Sequence, residues 1–381
     1  MIYLDNAATS HPKPVQVYDR MDRFAREVGA NPGRSGHRMA GQAEAEIAEV
    51  RRLLTTLFGG SNPSRLVFTL NATDALNMAL KGVLTHGDHV VTSLLEHNSV
   101  ARPLNAMESA GMVTVTRVRP GPDGTLDPGT IDAAINDRTR LVALGQASNV
   151  LGTAQPIADI GAVVRGRDRL FLVDAAQSAG VLPIDVGQDA VDLLAFTGHK
   201  GLLGPVGTGG LYVGDRVSPR PWREGGTGGD SALDLQPAEY PNALEAGTPN
   251  TVGIAGLGEA VRVIDAHGVA SMGAHERRLA VRLRDALEKD TRVSLRGPRP
   301  SEAAARTGIV SFTLAGHAPS EVGAILDASF GIAVRTGLHC APGAHRFLGT
   351  FPEGTVRVSP GPFNTEDDID ALVAALLEIL S

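Results

Sequence analysis

Between residues 65 and 214 the chain carries six short apolar runs: RLVFTL, DHVVTS, TRLVALG, RLFLVDAAQ, VDLLAFTG and GGLYVG. None keeps the strict apolar–polar alternation of a strand with one wet face, so each reads as a strand covered on both sides. The stretches between them, such as QAEAEIAEVRRLLTTLFG, TDALNMALKGVL and NSVARPLNAMESAG, have helical spacing. Buried strands alternating with helices predict an α/β fold: a large domain with a mainly parallel sheet, helices on its faces and right-handed crossovers.

After residue 255 the rhythm changes. GLGEAVRVIDAHG and MGAHERRLAVRLRDALEKD read as helices, and IVSFTLAG, PSEVGAILDASFG and GTVRVSPG follow as strand, helix and strand. At the end Ile369, Leu372, Val373, Leu376, Leu377 and Leu380 form one helical stripe, with Thr365 and Asp368 spaced as a capping box. This predicts a large domain over residues 15–255 and a smaller α+β domain made of 1–14 and 256–381.

A net charge of -7 argues against a nucleic-acid partner. No apolar run reaches the ~18 residues of a membrane helix, and the first residues, MIYLDNAATSHPKP, lack the pattern of a secretory signal. The single cysteine excludes an internal disulfide and fits a reducing compartment, so a cytoplasmic protein is expected.

Ligands of open α/β sheets bind beyond the carboxyl ends of the strands. The polar residues there are Thr73, His97, Asn149, Asp174, Gln177, Thr197, His199 and Lys200. Singly, each has an ordinary reading as a cap or a surface group; together they make a site. GLLGPVGTGG lacks the Gly-Lys-Ser/Thr of a phosphate-binding loop, and no dinucleotide-binding glycine pattern stands out. His339, Cys340 and His345 share one loop without the ligand spacing of a zinc site, so no metal is expected. A buried acid with a lysine is the pairing that pyridoxal phosphate uses: the lysine forms a Schiff base and the acid holds the ring nitrogen. A helix start bearing a threonine suits the phosphate. Cys340, in RTGLHCAPGAH, is either an inert thiol or a reactive one, and its surroundings alone leave both open.

With YLDNAAT, FTLNATDALN, LLEHNS, QASN, LVDAAQSAG, AFTGHKGLLGPVGTGGLYV, EAGTPN, RTGLHCAPGAH and TVRVSPGPFNT in this order, the chain resembles the cysteine desulfurases. These belong to the class V aminotransferase superfamily, of fold type I, and the resemblance lies nearer the Suf-type and selenocysteine-lyase branch. It implies a homodimeric enzyme that uses pyridoxal 5'-phosphate to convert L-cysteine to alanine and a persulfide on Cys340, supplying iron–sulfur cluster or other sulfur biosynthesis. Carried over, Lys200 would link to the cofactor, Asp174 pair with its ring nitrogen, Gln177 meet the ring hydroxyl and His97 stack on the ring. Asn149 would lie near that hydroxyl and the substrate. Ala72, Thr73, Thr197 and His199 would hold the phosphate, and Thr248 would reach the phosphate of the neighbouring subunit. Arg357 would clamp the substrate carboxylate, while Arg335 and His339 would flank Cys340 and favour its thiolate. Leu338 departs from the two histidines usual before the cysteine of the Suf type. Alternatives within the resemblance are action on selenocysteine, cystine or cysteine sulfinate, transamination, and a low-activity relay that needs a protein sulfur acceptor.

Overall fold

The structure is a computed structural model that describes residues 1–33, 36–228, 232–298 and 306–381. A short strand, β1 (Ile2–Tyr3), precedes helices α1 (Val15–Glu27) and α2 (Arg38–Leu57). Then come β2 (Leu66–Thr69), α3 (Ala72–Val83), β3 (Asp88–Ser93), α4 (Asn98–Ser109), β4 (Val113–Val118), α5 (Pro128–Ala134), β5 (Thr139–Gly145), α6 (Ile157–Gly166), β6 (Leu170–Asp174), β7 (Leu193–Thr197) and β8 (Gly209–Val213). Two long helices follow, α7 (Thr251–His267) and α8 (Val269–Leu287). The remainder is β9 (Val293–Arg296), β10 (Val310–Leu314), α9 (Pro319–Phe330), β11 (Ile332–Ala333), β12 (Arg335–Gly337), α10 (Pro342–Leu348), β13 (Thr355–Val358) and α11 (Glu366–Ile379).

The large sheet has the order β2-β8-β7-β6-β5-β3-β4. Its pairings are parallel except those of β8, which runs against both β2 and β7. The connection from β7 to β8 explains the reversal. A parallel return needs a crossover of about a dozen residues or more, usually helical, and Gly198–Thr208 is a glycine-rich loop with no helix in it.

The absence of alternation in the strands has a direct cause. Val142, Leu144, Phe171, Val173, Leu194 and Phe196 face a core shared with α2, α6 and α7. Their neighbours Leu141, Ala143, Leu170, Leu172, Leu193 and Ala195 face the other core, shared with α3 and α4. Both faces of the sheet are dry, so both parities of the strands are apolar.

The sequence reading draws a boundary at residue 255, which falls inside α7. Ile254, Leu257, Ala260, Val261 and Ile264 of that helix are buried with Val50 and Leu54 of α2. A Cβ on Gly258 would stand 2.4 Å from Val50 Cγ2, so glycine here lets the two helices meet closely. The composition change near residue 255 marks this tight packing. The antiparallel sheet β12-β13-β10-β9 forms a third core with α8, α9 and α11, and Leu4 joins it because β1 pairs with β11. Thr365 and Asp368 form the capping box of α11. Among the described residues no helix is long and apolar enough to cross a membrane.

Candidate active site

The C-terminal edge of the large sheet opens into a partly enclosed pocket. Ala72, Thr73, His97, Asn149, Asp174, Gln177, Thr197, His199 and Lys200 all line it, so nine of the residues singled out in the sequence converge. Each is delivered by a local device. Asn71 caps α3 by accepting the Asp74 N–H at 3.0 Å, which leaves the N–H groups of Ala72 and Thr73 facing outward from the helix start. His97 caps α4: its Nδ1 accepts the Ser99 N–H at 3.1 Å, which fixes the ring. Thr73 and Ser99 hydroxyls join at 2.7 Å across the two helix starts.

Asp174 ends β6, is buried, and accepts the Ala176 N–H at 2.9 Å. Burial pushes its carboxyl up, and the nearby Lys200 opposes that shift. Lys200 follows β7 by three residues; enclosure lowers its amine to about 8, with Asp174 opposing. No hydrogen bond engages its Nζ among the described residues. Burial, and then the Lys200 charge, lower His97 and His199 to about 4 each, so both rings are neutral near pH 7. His199 Nδ1 is buried without a partner, whereas its carbonyl accepts from Ser10 N–H, Thr9 Oγ1 and Lys13 Nζ. Thr197 Oγ1 reaches the Thr208 carbonyl at 3.5 Å, and Gln177 Nε2 donates to the Ala7 carbonyl at 3.0 Å.

The cysteine loop closes over the rim. Its backbone is tied at two points: Asn98 N–H donates to the Cys340 carbonyl at 2.7 Å, and Asn149 Nδ2 donates to the His339 carbonyl at 2.5 Å. Leu95, Val150, Leu151, Ala341 and Ala344 pack beneath these ties. His339 and Cys340 both have left-handed backbones, φ 47° and 58°. Arg335 Nη2 lies 3.6 Å from Cys340 Sγ, so the guanidinium flanks the thiol.

His339 takes a different position from its neighbour. Its ring is buried, with Nε2 3.1 Å from Thr355 Oγ1, and burial pushes its titration far down. Its Nε2 is engaged at Thr355, while Cys340 Sγ has Arg335 beside it. Arg357 is wholly buried; Nη2 pairs with Asp5 at 2.7 Å, Nη1 donates to the Asn149 carbonyl at 3.1 Å, and Nε has no partner. Nε is thus the one nitrogen of its guanidinium left without a partner. Thr248 stands apart from the cavity, exposed in a second and larger cleft lined also by Arg51, Phe68 and Glu245.

One residue of the site escaped the sequence reading. Glu96 lines the cavity, is 5% exposed, and is raised to about 8, by burial first. Its place after the apolar LL of SLLEHN, next to the more conspicuous His97, was the available signal.

The unpartnered amine of Lys200, the buried carboxyl of Asp174, the orphaned His199 Nδ1 and the helix start at Ala72–Thr73 suit an aromatic aldehyde carrying a phosphate. The amine would hold the aldehyde, the carboxyl the ring nitrogen, and the N–H groups the phosphate.

The aminotransferase class-V family model matches residues 2–372. A probable cysteine desulfurase of Methanothermobacter thermautotrophicus is 34% identical over 99% of this chain and 94% of its own. A cysteine desulfurase of Salmonella agona is 35% identical over 100% of this chain and 93% of its own. Among solved structures, the apo cysteine desulfurase of Thermococcus onnurineus superposes with a TM-score of 0.92 at 33% identity, covering 99% of this chain and 94% of that one. The S-sulfonic acid form of an Escherichia coli cysteine desulfurase gives 0.87 at 31%, with the same coverage. The chain therefore belongs to the aminotransferase class-V family and, within it, to the cysteine desulfurases.

Proposed function

We propose that this protein binds pyridoxal 5'-phosphate on Lys200 and uses it to move the sulfur of L-cysteine onto Cys340. The observation that carries the reading is the placing of the lone thiol. It sits beside Arg335 on a loop tied to Asn149, which lines the cavity that holds Lys200 and Asp174, and to Asn98, between the cavity-lining His97 and Ser99.

The bound cofactor supplies an electron sink for the carbanion formed at the substrate Cα. Asp174 would hold the ring nitrogen, and His97, neutral and fixed by its cap, would pack against the ring. The Lys200 amine, lowered to about 8, takes and returns the Cα proton. The unpartnered Nε of Arg357 would take the substrate carboxylate, while Asp5 and the Asn149 carbonyl hold its two other nitrogens. The Cys340 thiolate attacks the substrate sulfur; its pair forms the new S–S bond. The electrons of the broken C–S bond remain with the substrate Cβ, which takes a proton, and alanine leaves.

The same reading extends to the assembly. Exposed Thr248 serves the phosphate of a second copy, so the working unit is a homodimer. Residues 1–14 and 256–381 act as a smaller domain carrying Cys340 and Arg357. A chain with one cysteine, acting on thiols, belongs in a reducing cytoplasm, and the persulfide feeds iron–sulfur cluster or other sulfur biosynthesis through a protein acceptor. The test is to incubate the purified protein with L-cysteine and with L-selenocysteine, and to measure alanine, sulfide, selenide and the mass of the peptide holding Cys340. Alanine from cysteine with a +S mass on that peptide is expected. Alanine from selenocysteine alone would replace this substrate assignment.

A further inference from the structure

The turn that carries Lys200 is held from two sides. Within it, the Gly198 carbonyl accepts the Gly204 N–H and the Lys200 carbonyl accepts the Leu203 N–H, both at 2.8 Å. The His199 carbonyl between them takes its partners from a distant part of the chain. It accepts the Ser10 N–H at 2.9 Å, Thr9 Oγ1 at 3.0 Å, Lys13 Nζ at 2.9 Å and, more weakly, Ser10 Oγ at 3.3 Å. Lys13 Nζ also donates to Ser10 Oγ at 2.7 Å. This ammonium is half-buried and has no carboxylate partner among the described residues. Drawing a cation partly out of water without an acid is costly, and a carbonyl with a hydroxyl offsets that in part. The charge is directed at one carbonyl, and that carbonyl adjoins Lys200.

The same segment also reaches Arg357. Asp5 accepts from Arg357 Nη2 at 2.7 Å, the Asn6 N–H donates to the Ser359 carbonyl at 3.1 Å, and the Ala7 carbonyl accepts Gln177 Nε2 at 3.0 Å. Residues 5–13 therefore cross from β13 of the small sheet to the loop after β7 of the large one, with a polar tie at each end. A peptide unit is planar, so fixing the oxygen of residue 199 also fixes the N–H of residue 200 and the direction in which the Lys200 side chain leaves the backbone. Direction matters here, since a reacting group displaced by about 1 Å can lose about a hundredfold in rate.

We infer that Lys13 is a positioning residue: it acts through the His199 carbonyl to fix the peptide that aims the Lys200 amine, while Asp5, at the other end of the segment, holds Arg357. The consequence for turnover rests on the function proposed above. The tie to the Lys200 loop does not, and it can be read on the apoprotein.

In the apoprotein, Lys13→Met should speed amide hydrogen exchange in residues 198–204 by about tenfold, the effect of losing a hydrogen bond from a charged donor. Lys13→Arg keeps a cationic donor and should restore the wild-type exchange. In the loaded enzyme, Lys13→Met should lower kcat for alanine from L-cysteine by about tenfold and leave KM within about twofold. Lys13→Arg should recover most of that kcat. Asp5→Asn should do the reverse of Lys13→Met, raising KM while leaving exchange in residues 198–204 unchanged. Should Lys13→Met fail to fold, Thr9→Val removes another donor from the same carbonyl and should give the Lys13→Met pattern at about threefold. Unchanged exchange in both variants, or kcat and KM worsening together, would overturn the assignment. A wild type that makes no alanine while the exchange response holds would overturn the proposed function and leave the tie standing.

Discussion

Asp174 and Lys200 sit at or just past the ends of strands buried on both faces, whereas Cys340 sits in a turn held from behind by hydrogen bonds to its backbone. On the floor of the cavity, packing fixes the side chains and burial sets their charge: the amine and the two histidines are lowered, and the acids are raised. At the rim, the thiol keeps partial exposure and a guanidinium beside it. Its position comes from two left-handed residues, each costing about 1–2 kcal/mol outside glycine. Groups that must hold one geometry are placed on the rigid sheet. The group that, on the proposed reading, meets the substrate and hands its sulfur onward is placed on a turn with tied ends.

The largest effect should come from breaking the floor. Lys200→Ala should lower turnover by about a thousandfold or more, since the proposed function makes the residue both the attachment point and the proton carrier. Borohydride reduction of wild type followed by peptide mass analysis should place the pyridoxyl adduct on Lys200. An adduct on Lys81 or Lys289 would move the site elsewhere.

Breaking the rim alone should separate the two halves. Cys340→Ser should retain the cofactor's visible band and its response to L-cysteine, because neither needs a thiol. Persulfide should vanish and alanine from L-cysteine fall to near background, since a serine hydroxyl is essentially un-ionised near neutral pH. Release of selenide from selenocysteine should survive in part. Wild-type alanine yield in this variant would return Cys340 to an inert thiol.

A smaller change sharpens the boundary. Asn149→Ala cuts the tie to the His339 carbonyl and leaves that oxygen wanting a partner. A lost buried hydrogen bond of about 1–1.5 kcal/mol corresponds to about tenfold. That factor should appear in the rate of persulfide formation and not in the stability of the covalent cofactor link. Equal losses in both would mean that Asn149 serves the floor more than the loop.

The floor was legible in the sequence, and the reason is geometric. Apolar runs that end in a polar residue mark the carboxyl ends of buried strands, so Asp174, Thr197 and Lys200 could be placed before any fold was known. The rim was legible only in part. Arg335 beside Cys340 was implied by the resemblance carried by RTGLHCAPGAH. The engagement of His339 at Thr355 was not, because it depends on how the turn meets β13. Nor was the reversal of β8, since GGLYVG has the same composition in either direction. Glu96 was hidden for a further reason. A glutamate before a histidine reads as a surface pair, and only the three-dimensional meeting of β3 with β5 encloses it.

The smallest effect concerns what lies beneath the rim. His345, on α10, is wholly buried; its Nδ1 is 2.8 Å from Thr350 Oγ1, and its Nε2 has no partner. Burial lowers it to about 4. The ring packs 5.6 Å from His339, centroid to centroid, so it supports the turn that carries Cys340. A histidine depressed in the folded state contributes stability that is present above its unfolded value near 6.5 and is lost as pH falls through the folded value. Between about pH 6.5 and about pH 4 the protein should therefore lose about 1–3 kcal/mol through this residue alone. His345→Gln cannot take the proton, and its denaturant midpoint should fall less over the same range. His97 and His199 are lowered to the same region, so the floor weakens in acid as well. The single-site comparison isolates the rim: in wild type, persulfide formation should fail at a higher pH than cofactor retention, and His345→Gln should narrow that gap. Identical acid profiles for the two proteins would show that the turn stands without its buried histidine, and that the two ties to Asn98 and Asn149 suffice to hold the thiol in place.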